Sequence, residues 1–199
     1  MASAAEIHKV RPGLFFWQAY EPLVKVNLSC CARQTAEGLV FIDPIPLKKG
    51  AERELLAHAE PRAIILTSGN HARAAEEYRR RFSIPIHAHA AAEAELGLKI
   101  DHVLADEDVA LGEFTVITLP GAAVGELALF AHDTLHLGDA LIHLPPLPFG
   151  PLPDKYCTDP RELRRSLGKL LRFPLEVLTF AHGLPIVAHA RQRLSQLLA

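Results

Sequence analysis

The chain has 199 residues, 49% hydrophobic and 22% charged, with a formal net charge of −2. A chain of this length buries roughly 70% of its unfolded surface, so it needs neither a disulfide nor a metal in order to fold. The longest basic block, Arg79-Arg80-Arg81, follows directly on Glu76 and Glu77, which excludes the concentrated basic face of a nucleic-acid binder. No apolar run approaches the roughly 18 residues of a membrane span, and the start lacks the pattern of a signal peptide, so a cytoplasmic protein is expected.

In chain order, Glu6 to Val10 and Leu14 to Tyr20 read as strands joined by the Arg11-Pro12-Gly13 turn. Val24 to Arg33 and Leu39 to Ile42 follow as a hairpin across Glu37-Gly38. Ala51 to His58 is helical in pattern, Ala63 to Leu66 a strand, and Asn70 to Phe82 a long helix. A strand at Ile84 to His87 and a short helix at Ala90 to Leu96 come next. The β-rich middle holds Phe114 to Leu119, Leu127 to Ala131, Thr134 to Leu137 and Ala140 to Leu144, with a turn at His132-Asp133. Pro145, Pro146, Pro148, Pro151 and Pro153 make a stiff loop over 145–154 in which neither helix nor sheet is expected. Asp159-Pro160 starts a helix to about Leu171, with the aspartate as N-cap and proline at the first position. Val177 to Phe180 is a last strand and Ile186 to Leu198 a closing helix. No repeat or linker divides the chain, so residues 1–199 are expected to form one domain. Strands, then strands alternating with helices, then strands again, indicate two sheets covered by outer helices.

Cys30 and Cys31 are adjacent in a strand and point to opposite faces. With Cys157 they read as reduced thiols, without a CxxC motif. His87 and His89 share one face of a strand, a geometry open to metal, although half-buried packing is the simpler reading. His132 is expected in solvent, and His136 and His143 packed on strands.

Five motifs, in order, resemble the metallo-β-lactamase superfamily. Asn27 in a strand is followed by Leu39-Val40-Phe41-Ile42-Asp43. Ile64-Ile65-Leu66-Thr67 leads into Ser68-Gly69-Asn70-His71-Ala72-Arg73, where the family has Thr-His-x-His-x-Asp-His. Leu119-Pro120-Gly121-Ala122 resembles the Pro-Gly-His turn. Leu137-Gly138-Asp139 keeps the Gly-Asp step, and Thr179-Phe180-Ala181-His182-Gly183 keeps the final histidine.

The resemblance implies an α/β (α+β) fold, a four-layer αββα sandwich with one cleft at its edge. Of the family's ligand positions only Asp139 and His182 keep a ligating side chain; Ser68, Asn70, Ala72, Arg73 and Ala122 replace the others. Two ligands hold zinc weakly, and without metal no hydroxide forms near neutral pH. No cofactor is therefore expected, and Arg73 is expected to lie against Asp139 and neutralise it in place of a cation. The functional expectation is a non-hydrolytic descendant whose cleft serves a small ligand or a partner. The rival classes are a zinc-dependent hydrolase with a rebuilt site, using Asp139, His182 and His71 or His89, and a purely structural role. His71 otherwise reads as a surface or capping histidine. Asp43, Thr67, Asn70, His71 and Arg73 are the cleft candidates, joined by Lys155 and Tyr156, which are loosely placed like the anion-binding pair of glyoxalase-II-like members.

Overall fold

Alternation of apolar side chains along the strands decides the architecture. In the first hairpin, β2 (Leu14–Glu21) and β3 (Val26–Thr35), Phe15, Trp17, Cys30 and Ala32 face one way, and Leu14, Phe16 and Cys31 face the other. Both faces are apolar, so the sheet must be covered on both sides. A computed structural model, describing all residues 1–199, shows how.

A seven-stranded sheet runs in chain order through β1 (His8–Arg11), β2, β3, β4 (Gly38–Ile42), β5 (Pro61–Ile65), β6 (Ile86–His89) and β7 (His102–Leu104). Its outer face packs on α1 (Lys49–Leu56), α2 (Ala75–Phe82) and α3 (Glu93–Leu96) through Leu55, Tyr78 and Leu96. A five-stranded sheet has the order β14-β11-β10-β9-β8, from β8 (Val109–Ala110), β9 (Phe114–Thr118), β10 (Leu127–Ala131), β11 (Thr134–Leu137) and β14 (Val177–Phe180). Its outer face is covered by α4 (Pro160–Leu167) and α5 (Ala190–Leu198) through Leu163, Leu167 and Leu194. Between the sheets lie Val40, Ile42, Ile65, Val116, Leu127 and Leu129. Helices, sheet, sheet and helices form the expected four layers.

Three local expectations are corrected. The helix after β5 begins at Ala75, not Asn70, because residues 68–74 turn back on themselves: His71 N–H bonds Ser68 C=O, and Arg73 has a left-handed backbone with φ 36°. The proline-rich loop does hold a short strand. Gly150 and Pro151, as β13 (Gly150–Pro151), pair antiparallel with β12 (Leu141–Ile142). Proline is tolerated there because the pair is a two-stranded ribbon with an open edge. The closing helix starts at Ala190, since Ile186 is instead bridged to Leu178. Asp159 caps α4 as expected, its carboxylate accepting from the N–H groups of Arg161 and Glu162.

Candidate metal centre

Two pairs of parallel strands, one pair in each sheet, bring the site together. In the seven-stranded sheet Ile42 is in register with Ile65, so Asp43 and Thr67 leave the same edge side by side. In the five-stranded sheet Leu137 is in register with Phe180, so Asp139 and His182 each stand two residues past a matched pair. Asp139 Oδ1 and His182 Nε2 are 3.3 Å apart. Gly138 makes this approach feasible, because a Cβ there would sit 2.6 Å from both Glu126 Oε1 and Thr67 Oγ1.

The reading of His71 as a surface or capping histidine is corrected, and the residue lies in the cleft cluster where the rival reading put it. It is neither a surface nor a capping side chain; only 1% of it is exposed. The turn over 68–74 swings its ring inward between two carboxylates. Nδ1 lies 3.0 Å from Asp43 Oδ2, and Nε2 lies 3.3 Å from Asp139 Oδ1. Asp43 is itself fixed by the Thr67 N–H, at 2.8 Å, and by the Thr67 hydroxyl. Asn70, exposed at the rim, donates its amide to Asp139 Oδ2 at 3.3 Å. Asp139 therefore does not cap the turn after Gly138; its oxygens face side chains.

The expected pairing of Arg73 with Asp139 does not occur. Arg73 Nη1 donates to the carbonyls of Ser29, at 2.7 Å, and Asp43, at 3.1 Å, and Nη2 donates to that of Ala181, at 3.2 Å. Its left-handed backbone turns the side chain across the sheet edge rather than into the cluster. His71 takes over the compensating charge. Burial works against the imidazolium, yet Asp43 and Asp139 raise its pKa to about 9. Burial would raise Asp139, but His71 and His182 hold it well below the carboxylate range. For Asp43 likewise, burial is outweighed by His71, Arg73 and Thr67, and the net shift is downward.

Glu126 is a further buried carboxyl here, which the sequence gives no sign of because it abuts the apolar run of β10. Its Oε1 accepts from the Ala140 N–H at 2.8 Å, while Oε2 has no partner. Burial and the neighbouring Asp139 push it well above its ordinary value, which favours its neutral form.

The other candidates are dispersed. Ser68 and Ala122 are wholly buried, Ala122 in the core under α4. Ala72 packs toward the core under α1 and α2. Lys155 and Tyr156 are exposed and engage each other, the ammonium 4.6 Å from the ring centre. His89 accepts from the Ala91 N–H and caps the short turn before α3. His87 stacks on His102 at 4.5 Å. His132 is exposed beside Glu113, and His136 is buried, bonding Thr179 through Nδ1 at 2.6 Å. All three cysteines are free.

His71, Asp139 and His182 thus present three ligand atoms within 4.8 Å of one another. Their suitability for a metal shows in the spacing. A distance of 3.3 Å is long for a charge-assisted hydrogen bond, which closes to about 2.7–2.9 Å. Two donors on one tetrahedral ion, each about 2.0–2.1 Å from it, stand about 3.3 Å apart. The carboxylate of Asp43 on the far nitrogen of His71 is the partner that a metal-binding histidine ordinarily has.

An αββα sandwich with ligating residues at one strand edge is the architecture of metallo-β-lactamases. The sequence profile of that superfamily matches residues 7–199, and the chain belongs to it. Among solved structures, the chain is similar to the DIM-1 metallo-β-lactamase, with 15% identity, a TM-score of 0.76, and 98% of each chain covered. It is also similar to a metallo-β-lactamase from Pontibacter korlensis, with 17% identity, a TM-score of 0.75, and 97% of this chain and 98% of that one covered. A metallo-β-lactamase family protein from Thermus thermophilus shares 18% identity at a TM-score of 0.68, over 95% of this chain and 79% of that one. No curated protein matches the sequence. No helix is long and apolar enough to cross a membrane.

Proposed function

We propose that this chain is a superfamily member whose dinuclear centre is degraded and whose remaining position is rebuilt for a single divalent transition metal, held by His71, Asp139 and His182. The observation that supports this is the pair of 3.3 Å spacings that join both histidines to one carboxylate oxygen. A second metal has no ligand set, because Ser68 and Ala122 are buried and do not ligate, and Asn70 is engaged with Asp139. Three protein ligands would leave a fourth coordination position free, and a metal held there would supply a water acidified toward pH 7 or polarise a carbonyl or phosphoryl oxygen.

The chain's own residues have definite parts in this. Asp43 keeps the His71 proton on Nδ1, so that Nε2 offers its lone pair. Asn70 keeps the second Asp139 oxygen occupied. Glu126 holds the strand end at Ala140 through its Oε1, and its burial favours the uncharged acid. The ligand taken at this edge is a small molecule rather than a nucleic acid, since no basic face accompanies the site. Calorimetric titration of the chelator-treated protein with zinc tests the proposal. It predicts one site per chain, abolished in His182→Ala; an absence of binding in folded wild-type protein would refute it.

A second, non-hydrolytic reading has one observation in its favour. The His71 imidazolium already neutralises Asp43 and Asp139 from both sides, which would allow the cleft to persist without metal as a site for a small ligand. The same titration separates the two.

A further inference from the structure

We infer that Arg73 is the positioning residue of the centre, setting both histidine ligands through main-chain carbonyls of the two sheets. This rests on the single-metal reading above. The three carbonyls it grips are not equivalent. Ser29 lies in β3 and Asp43 follows β4, both in the seven-stranded sheet, whereas Ala181 follows β14 in the five-stranded sheet. One planar guanidinium therefore joins the sheets at the edge where the ligands emerge.

Each carbonyl leads to a ligand by a short route. Ala181 immediately precedes His182. The Asp43 carbonyl belongs to the residue whose carboxylate holds His71 Nδ1 at 3.0 Å. Ser29 also accepts at its hydroxyl from the Gly183 N–H at 3.1 Å, and its own N–H donates to the Ala181 carbonyl at 2.9 Å. Residues 181–183 are thus held on Ser29, and Arg73 binds Ser29 in turn.

Two features set Arg73 apart from an ordinary surface arginine. Its backbone is left-handed, at φ 36°, a conformation that a side chain with a Cβ adopts at a cost and that persists only where surroundings enforce it. It also spends all three of its hydrogen bonds on carbonyls and forms no ion pair, so while its charge favours the Asp43 carboxylate, its contacts are with the main chain. The fixed fork of the guanidinium suits these contacts, because a lysine ammonium has no planar set of donors to span acceptors on separate strands.

The full-length chain and its Arg73→Lys and Arg73→Met variants are compared by three measurements: zinc affinity by calorimetry, imidazole nitrogen chemical shifts of His71 and His182 in the metal-free protein, and the thermal midpoint. Positioning predicts zinc binding weakened about 10–100-fold, shifted imidazole signals of both histidines before any metal is added, and only partial recovery in Arg73→Lys. Unchanged affinity and unchanged imidazole signals in a folded variant would overturn the inference, whatever the thermal midpoint does, since that pattern belongs to a sheet clamp alone. If Arg73→Met does not fold, Arg73→Lys is decisive by the same criteria. If wild-type protein binds no zinc, the single-metal reading fails, and the imidazole signals still decide whether Arg73 sets the two histidines.

Discussion

Metal binding at this site should compete with a proton, and the competition has a calculable slope. In the metal-free protein the His71 pKa is raised to about 9 by Asp43 and Asp139 against the opposing effect of burial. A ligating imidazole must give up the proton on Nε2. At pH 7 the solution lies about two units below that pKa, so removing the proton costs about 3 kcal/mol and weakens zinc about a hundredfold relative to pH 9. The apparent affinity should therefore rise about tenfold per pH unit from about 6.5 to 9 and level off above. Calorimetry at pH 7 in buffers of different ionisation enthalpy should show about one proton released per metal bound. In His71→Gln the slope should flatten along with a large loss of affinity. An affinity independent of pH from about 7 to 9, or binding without proton release, would refute the claim that this imidazolium occupies the metal's place.

Other substitutions probe the supports. Gly183→Ala should destabilise the fold by about 3 kcal/mol or more in urea unfolding, because Gly183 has φ 101° and a Cβ there would collide with the carbonyl of His143. Thr67→Val should cost about 1.5–3 kcal/mol in the same assay, since it removes the hydroxyl that bonds the buried Asp43 carboxylate. Burial and Arg33 lower the His136 pKa to about 3. The unfolded chain then takes up this proton before the native one, so stability is intact above the ordinary value near 6.5 and falls by about 1.4 kcal/mol per unit as pH drops toward 3. His136→Leu should lose that contribution to the slope between about pH 6.5 and 5; an identical slope in the variant would contradict it.

The layered fold was legible because the order of strands and helices indicates two sheets with outer helices, and the family resemblance implies the same sandwich. Elements of two residues, β8 and β13, carry too few side chains to show a period. Asp139 and His182 stood out in the sequence because their motifs resemble those of the superfamily, and the parallel register of β11 and β14 makes them neighbours. His71 was named as a third ligand only in the rival, rebuilt-site reading, and its inward orientation was not legible. Its orientation depends on a turn in which a non-glycine residue, Arg73, takes a left-handed conformation, and no local rule assigns that to an arginine. Arg73 was misassigned for the same reason. Charge complementarity pointed it at Asp139, while the backbone turn delivers it to carbonyls. Glu126 lies beside an apolar strand, where a buried neutral acid is indistinguishable in sequence from a solvated one.

The central claim is one metal, not two and not none, at His71, Asp139 and His182. Crystals grown from protein supplied with zinc, measured on both sides of the zinc absorption edge, test it most directly. One anomalous peak per chain, in contact with all three side chains and absent beside Ser68 and Ala122, is the predicted result. Two peaks at this edge, or a folded zinc-exposed protein with no peak and His71 still bridging Asp43 and Asp139, would contradict it.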